Sequence, residues 1–409
     1  MRHRRALLRL GGQVPARSIP MPIHRLARFI AVLAACAAAP LAAQVPADER
    51  AALLDLYAAT GGSGWTDSTG WNGPPGGECA WFGITCLNDR VMVLSLSNNH
   101  LVGTLPASLG NLTRVQTVLL GSNQLSGPLP PLASMTQLAA FYANRNQLSG
   151  PLPSLTGLSS LNWLDVRENR LEGPLPSLAG LNALTTLRAS DNLIDGPLPV
   201  LSGLPRLNLL ELSRNRLSGT VPPLTALPQL ANLLLDDNAL SGPIPDLSEL
   251  TRLRVLTLSY NQLSGPLPVL DGLPIGHFSA VGNQLSGTIP PLAGATDLTE
   301  YSVSDNRLTG ALPALADAAK LDSFRAAGNR LTGSVPPVGA ALRRLRIEDN
   351  RLSGSVPEPP PGSILVADGS ALCPNPLAAT PSAAWDAATG TTPWHRDCND
   401  RLFVDGFEP

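Results

Sequence analysis

Two carboxylates, Asp165 and Glu211, occupy equivalent positions of a repeating pattern, and Arg188 occupies the same position between them. On a parallel sheet they would lie roughly 9.6 Å apart, near the acid-to-base spacing of inverting glycosidases. The intervening arginine instead makes a ladder of carboxylate, arginine and carboxylate. GxSxG, Walker, HExxH and GxGxxG motifs do not occur. A glycosidase-like enzyme is therefore a remote alternative, and we expect no catalytic residues.

Aromatic and charged side chains cluster around the same position. The pattern places Tyr142 and Trp163 on adjacent strands, pointing outward from the core. Aromatic residues beside arginine on a rigid surface are typical of binding hot spots. The alternative is a solvated surface, where each exposed ion pair contributes about 0–1 kcal/mol. The candidate ligand-binding residues are Tyr142, Trp163, Asp165, Arg167, Arg188 and Glu211.

Composition excludes several classes of protein. The 409 residues include 37 Gly and 40 Pro, with 44% hydrophobic, 4% aromatic and 15% charged residues. Such a chain is too apolar for disorder and too rich in Gly and Pro for a helical fold. Residues 1–43 contain seven Arg and no acid, so the remainder has 22 basic and 31 acidic residues, a net charge of −9. Nucleic acid is therefore not an expected partner.

The amino terminus predicts export. Residues 21–44 combine a basic start, an apolar stretch and small residues before Gln44, as in a secretory signal peptide. Met21 is the expected start, and cleavage after Ala43 is the expected processing. The alternative is a lipoprotein anchored through Cys36, because LAAC at 33–36 resembles a lipoprotein box. No transmembrane span is predicted.

The cysteines fall into two distant pairs once Cys36 is set aside. Cys79 and Cys86 lie near one end of the chain, and Cys373 and Cys398 lie near the other. An even number of cysteines in an oxidising compartment indicates two local disulfides. The spacing does not suit zinc, so we expect no metal and no cofactor.

One line of sequence recurs through the middle of the chain, as in LNWLDVRENRLEGPLP at 161–176. The alternation LxL predicts a short strand, with Leu164 and Val166 pointing inward. Asn169 follows where the chain leaves the strand, and its amide can pair with turn backbone that is otherwise unsatisfied. The structural asparagines in register are Asn99, Asn123, Asn146, Asn169, Asn192, Asn215, Asn238, Asn261, Asn283, Asn306, Asn329 and Asn350, with spacings of 21 to 24 residues.

This pattern, LxxLxLxxNxL followed by LxGxLP, resembles the leucine-rich repeat family. The added segment resembles the subtype of plant receptor ectodomains, although only the first interval keeps that subtype's usual 24 residues. The resemblance implies an α/β repeat solenoid: a curved horseshoe with a parallel sheet on its concave face and short 3₁₀, irregular or β segments on its convex face. It also implies a non-catalytic monomer that binds a protein or peptide on the concave face. A carbohydrate-binding envelope protein is the alternative, since Tyr142 and Trp163 could stack on sugar rings.

The expected organisation follows from the repeats and their ends. Residues 1–43 form the leader, 44–90 an amino-terminal cap, 91–357 about twelve repeats, 358–398 a carboxy-terminal cap and 399–409 a flexible tail. The first cap contains a short helix, from near Asp48 to Gly61, and the run CAWFGITC at 79–86, which resembles plant-type caps. The tail contains DGFE, which resembles a sorting tag on exported bacterial proteins. We therefore expect a secreted, periplasmic or surface protein of a bacterium.

Overall fold

A computed structural model of the chain describes residues 44–366, 369–396 and 398. The leader, with Met21 and Cys36, and the tail at 399–409 lie outside the described residues. Within the described residues, no helix has the length and apolarity needed to cross a membrane.

The described residues form two α-helices, α1 (Ala47–Ala59) and α2 (Ala383–Thr389), and short strands numbered along the chain. The strands of the first half are β1 Ile84–Leu87, β2 Arg90–Ser95, β3 Val102–Thr104, β4 Thr117–Leu119, β5 Gln124–Gly127, β6 Ala140–Tyr142, β7 Gln147–Gly150, β8 Trp163–Asp165, β9 Arg170–Pro174, β10 Thr186–Arg188, β11 Leu193–Pro197, β12 Leu209–Glu211 and β13 Arg216–Thr220. Those of the second half are β14 Asn232–Leu234, β15 Ala239–Gly242, β16 Val255–Thr257, β17 Gln262–Gly265, β18 His277–Ser279, β19 Gln284–Gly287, β20 Glu300–Ser302, β21 Arg307–Gly310, β22 Ser323–Arg325, β23 Arg330–Gly333, β24 Arg344–Arg346 and β25 Arg351–Leu352.

Two sheets run along the repeats. The first sheet has thirteen strands in the order β1-β2-β4-β6-β8-β10-β12-β14-β16-β18-β20-β22-β24. Strand β1 pairs antiparallel with β2, and the twelve strands from β2 to β24 pair in parallel with equivalent residues opposite one another. The predicted repeat solenoid with one parallel strand per repeat is confirmed.

The other side of the repeats, where short 3₁₀, irregular or β segments were expected, forms a second continuous sheet. Twelve strands pair in the order β25-β23-β21-β19-β17-β15-β13-β11-β9-β7-β5-β3. Each is built from the LxG part of the repeat, and short 3₁₀ turns occur at Ala107–Asn111 and Leu315–Asp317. Each repeat therefore contributes one strand to each sheet, and the leucines between the sheets form the core.

The core is mainly leucine, as the low aromatic content predicts. In the fourth repeat, Leu164 and Val166 are fully buried. Near the far end, three buried aromatic rings replace leucine on successive strands. Phe278 stacks on Tyr301 and Tyr301 on Phe324, with centroids 5.2 and 5.7 Å apart. Stacked repeats thus share one continuous apolar interior.

The asparagine side chains bridge neighbouring repeats. Asn169 Nδ2 donates to the carbonyl of Ala143 in the previous repeat at 2.9 Å and to that of Val166 at 3.0 Å. Its Oδ1 accepts from the backbone N–H of Leu148 at 3.0 Å. Because both ends of the amide are used, the turn backbone of two repeats is satisfied by one side chain.

The asparagine series differs from the expected set at its two ends. The Asn99 side chain forms hydrogen bonds to the amino-terminal cap. Its Oδ1 accepts from Asp67 N at 2.7 Å, and its Nδ2 donates to Asp67 O at 2.8 Å. At the other end, fully buried Asn375 continues the series. It donates to the carbonyls of Ile347 and Leu372 and accepts from Leu352 N. The carboxy-terminal cap therefore begins with an additional asparagine position that the sequence interpretation missed.

The amino-terminal cap closes the first repeat. Helix α1 ends at Ala59, two residues before the expected end, and buries Leu53 and Leu56. Tyr57 packs on Trp65 and Trp71, and Trp81 completes the aromatic cluster. The disulfides that link Cys79 to Cys86 in this cap and Cys373 to Cys398 in the other are as predicted.

The carboxy-terminal cap covers the last repeat. Helix α2 buries Trp385, and Trp394 is buried beside it. The indole N–H groups of the two tryptophans donate to the carbonyls of Pro357 and Thr380. Isolated bridges join Arg346 to Ala371 and Gly354 to Leu377. The open end of each sheet therefore has a paired neighbour.

Candidate functional site

The first sheet brings the six candidate residues into one patch on its outer face. Tyr142, Asp165, Arg188 and Glu211 lie opposite one another on β6, β8, β10 and β12. Trp163 lies two residues before Asp165 on β8, and Arg167 follows two residues after it. We call this set the first-sheet patch.

The aromatic pair of the first-sheet patch is stacked and half-buried. The ring centroids of Tyr142 and Trp163 are 5.8 Å apart, with 22° between the planes. Burial, with a contribution from Asp165, raises the pKa of Tyr142 to about 12, so the phenol stays protonated near neutral pH. The indole Nε1 of Trp163 is buried and has no hydrogen-bond partner. Trp163 is therefore only partly exposed on the outer face, because Tyr142 covers part of its ring.

The charged members form a chain of ion pairs. Arg167 donates to Asp165 from Nη2 at 2.9 Å and from Nε at 3.0 Å, and Nη1 reaches Glu211 Oε1 at 3.4 Å. Arg188 Nε donates to Glu211 Oε2 at 2.7 Å. Burial lowers the pKa of Arg167, but its bonds to Asp165 and Glu211 raise that pKa above the usual value overall. The four charges therefore hold one another in place.

Two details of this chain correct the sequence interpretation. Asp165 is only 3% exposed, and the Glu211 side chain 14%, so neither is an ordinary surface charge. Arg167, not Arg188, bridges the two carboxylates, because its long side chain folds back along the sheet. Both carboxylates already accept bonds from guanidinium groups. Carboxylates paired in this way are poorly placed for proton transfer with a substrate.

The remaining outer face contains two polar clusters that the sequence interpretation missed. Asp236 accepts from the hydroxyl of Thr257 and from the backbone N–H of Ser259. Further along the first sheet, Glu300 on β20 accepts from His277 Nδ1 and from Arg325 Nη1, each at 2.9 Å. The hydrogen bond from His277 is the main cause that lowers the pKa of Glu300. Both carboxylates occupy the outward positions that also form the first-sheet patch.

A row of charges follows the edge of the first sheet, one residue before each asparagine. The charges of this row are of mixed sign, and we call its members the rim row: Arg145, Glu168, Asp191, Arg214 and Asp237. Arg145 pairs with Glu168 and Arg214 with Asp191, and each of these side chains is at least one-third exposed. Exposed pairs of this kind contribute little to stability.

Metal ligands are not assembled anywhere in the described part of the chain, where no three His, Cys, Asp or Glu side chains group suitably. The side chains of the first-sheet patch offer stacking, hydrogen bonding and ion pairing.

Comparison with known proteins is consistent with this architecture. Residues 90–112 and 252–273 match the Leucine Rich Repeat family model. The chain is similar to the solved structure of the Arabidopsis receptor kinase HAESA in complex with the peptide hormone IDA and the co-receptor SERK1. The identity is 32% and the TM-score 0.62, covering 69% of this chain and 49% of that one. The fold is a leucine-rich repeat solenoid.

Two further proteins similar to this chain are also plant receptors. The plant peptide hormone receptor RGFR1 in complex with RGF2 is 30% identical with a TM-score of 0.59, over 71% of this chain and 56% of that one. The Arabidopsis thaliana probable inactive receptor kinase At1g48480 is 37% identical over 106 residues, 26% of this chain and 15% of that protein. The chain thus spans about half of these solved chains and a much smaller part of the curated relative.

Proposed function

We propose that this is an exported, non-catalytic leucine-rich repeat protein that binds a protein or peptide at the first-sheet patch. The observation that carries the proposal is the half-buried Tyr142–Trp163 pair, whose indole N–H has no partner, beside charges held in fixed positions. A hot spot combines such aromatic area with oriented arginine and carboxylate groups. The two receptor structures above, each in complex with a peptide hormone, support a peptide as ligand.

Export is part of the same proposal. The signal-peptide pattern at 21–43 and the two disulfides favour an oxidising compartment outside the cytoplasm. Mass spectrometry of the purified protein separates the two modes of processing. A chain that begins at Gln44 supports secretion or periplasmic release, whereas acylated Cys36 supports a surface lipoprotein.

The binding proposal is tested with Trp163→Ala after a pull-down from envelope and host extracts has identified a partner. We expect at least a thirtyfold loss of affinity, about 2 kcal/mol, because the ring would be lost from the centre of the patch. Since the ring is half-buried, a small fall in melting temperature is also expected, and affinity is measured well below it.

The matched control is Tyr260→Ala, which removes an exposed aromatic ring elsewhere on the repeats. It should leave affinity within about twofold. If Trp163→Ala binds the partner as the parent does, the first-sheet patch is not the site. A glycan array tests the second candidate, a carbohydrate ligand, which the stacked rings of Tyr142 and Trp163 would also suit.

A further inference from the structure

The second sheet displays three arginines on adjacent strands near its carboxy-terminal end. Arg307, Arg330 and Arg351 are the first residues of β21, β23 and β25, which are neighbours in the sheet. All three are exposed. Because neighbouring strands are about 4.8 Å apart, the three arginines span roughly 10 Å across the sheet. Each arginine is also displaced by two residues along the strand from the one before it, so the three form a diagonal. We call them the arginine row.

Hydroxyl residues alternate with the arginine row. Arg307 pairs across the sheet with Ser286, Arg330 with Thr309 and Arg351 with Thr332. Thr309 and Thr332 are exposed, as is Ser353 two residues after Arg351. The exposed surface of these hydrogen-bonded strands therefore presents guanidinium groups next to hydroxyl groups.

The arginine row has no partner of opposite charge among the described residues. None of its three side chains makes an ion pair within 4.0 Å or a side-chain hydrogen bond there, whereas Arg188 and Arg214 each contact a carboxylate. The second-sheet strands β17, β19, β21, β23 and β25 contain no acidic residue. Earlier in the same sheet the charge is balanced, since Arg216 lies opposite Asp195. The nearest acids along the chain, Asp305 and Asp349, are separated in sequence from Arg307 and Arg351 by the buried Asn306 and Asn350.

Such a surface is unusual on this chain, whose net charge after residue 43 is −9. A ligand for it must be anionic and must lie across several strands, because the three arginines belong to three neighbouring strands. Guanidinium groups bind carboxylate or sulfate groups with paired hydrogen bonds. The alternating serine and threonine hydroxyls suit a polymer that also has hydroxyl groups.

We propose that the arginine row binds an acidic polysaccharide, with its carboxylate or sulfate groups on Arg307, Arg330 and Arg351. The strands β21, β23 and β25 carry no aromatic side chain on which bases could stack, which disfavours single-stranded nucleic acid. They also lack exposed apolar residues that could enter a lipid surface. This surface would hold the protein on an acidic matrix while the first sheet remains available for its own ligand.

The test uses the triple variant Arg307→Gln, Arg330→Gln and Arg351→Gln of the exported protein. Binding to alginate, which is carboxylated, and to dextran sulfate is measured by calorimetry at low and at physiological salt. We expect the parent to bind at least one of them and the variant to bind it at least tenfold more weakly. The two polymers decide between carboxylate and sulfate, and neutral dextran should not bind.

The matched control removes the same charge from three other exposed arginines, Arg170, Arg216 and Arg252, and should change affinity less than twofold. Equal weakening by the two triple variants, or no binding of either polymer by the parent, would overturn the proposal. Tighter binding of duplex DNA or of anionic phospholipid vesicles than of both polymers would also overturn it. Trp163→Ala should bind the polymers normally, so failure here is distinct from failure at the first-sheet patch.

Discussion

Asn215 illustrates how single residues hold the repeats together. Its Nδ2 donates to the carbonyls of Ala189 and Leu212 at 3.0 Å, and its Oδ1 accepts from Ile194 N at 3.0 Å. We predict that Asn215→Ala lowers the free energy of unfolding by about 1–3 kcal/mol, because backbone groups in the turn lose their partner. Urea denaturation measures this loss.

The control for this prediction lies in the same repeat. Asn208 is exposed and donates to the carbonyl of Gln229 at 3.1 Å. Asn208→Ala should change stability by no more than about 0.5 kcal/mol, as for an ordinary surface residue. Equal losses for the two variants would contradict the structural role of Asn215.

The asparagine positions could be predicted from spacing, but the backbone conformation of the residues that precede them could not. The residue before most of these asparagines has a left-handed backbone, as at Glu168 with φ 55° and Asp191 with φ 58°. Residue type indicates this conformation only in part. Two of the twelve preceding residues are glycine and five are asparagine or aspartate, which tolerate it, but the other five, such as Arg145 and Tyr260, disfavour it. Asn375 was missed because it follows Asn350 by 25 residues, outside the 21 to 24 of the repeats.

The contributions of two outer-face glutamates to stability should depend on pH in opposite directions. Burial raises the pKa of Glu348, and its Oε2 has no partner, so the folded state binds a proton more tightly than the unfolded state. Its ionised form therefore costs stability at pH 7, and this cost disappears as pH falls through the folded pKa. We predict that Glu348→Gln raises the melting temperature at pH 7 and that the gain shrinks as pH falls to about 4.

Glu300→Gln is the control with the opposite sign. Because His277 and Arg325 hold the pKa of Glu300 below its usual value, the ionised form stabilises the fold above the unfolded pKa. That stability is lost as pH falls through the lower folded pKa. The variant should melt lower than the parent at pH 7, and the two should converge in acid. If Glu348→Gln and Glu300→Gln shift the melting temperature at pH 7 in the same direction, the charge at these sites does not control stability.

Among the elements, helix α1 depends on a buried carboxylate. Glu49 is fully buried, accepts from Val91 N at 2.8 Å and pairs with Arg90 at the start of β2. It ties the cap to the first parallel strand. Its removal leaves Val91 N without an acceptor, while Arg90, whose side chain is 33% exposed, can turn to solvent. Hydrogen bonds to a charged group contribute about 1.5–3 kcal/mol. We predict a loss of that order for Glu49→Ala, measured by urea denaturation.

Asp48→Ala is the matched control, since Asp48 is exposed in the same first turn of α1. Asp48→Ala should lower the free energy of unfolding only by the contribution of a charge at a helix amino terminus, about 0.3–1 kcal/mol. If Glu49→Ala costs no more than Asp48→Ala, the cap is held by its apolar side chains and aromatic cluster alone.

The elements were partly predictable. The first-sheet strands follow directly from LxL, and α1 from its apolar spacing. The continuity of the second sheet was not foreseen, because LxGxLP contains residues that usually weaken strands. Strand β9 shows how both residues fit into the second sheet. Gly173 adopts φ 74°, and Pro174, which lacks an N–H, is the last residue of the strand. The buried ion pairs of the first-sheet patch were also unforeseen, since spacing alone cannot say where Arg167 folds.

At the scale of the whole molecule, a repeat contacts mainly its neighbours, so each end can loosen without the middle. The disulfides Cys79–Cys86 and Cys373–Cys398 lie in the two caps and link residues only 7 and 25 apart. No disulfide among the described residues joins one cap to the other or crosses the central repeats. Reduction should therefore act locally at both ends.

We predict that reduction speeds amide hydrogen exchange in the caps, at 47–87 and 372–396, while the central strands β8 to β16 keep their protection. Mass spectrometry of the exchanged protein, with and without reductant, measures this difference. The buried cores of the central repeats and their asparagine bonds do not depend on either disulfide, so their opening free energy should be unchanged. A uniform rise in exchange along all repeats would mean that the solenoid opens as one cooperative unit and that the caps control it from a distance.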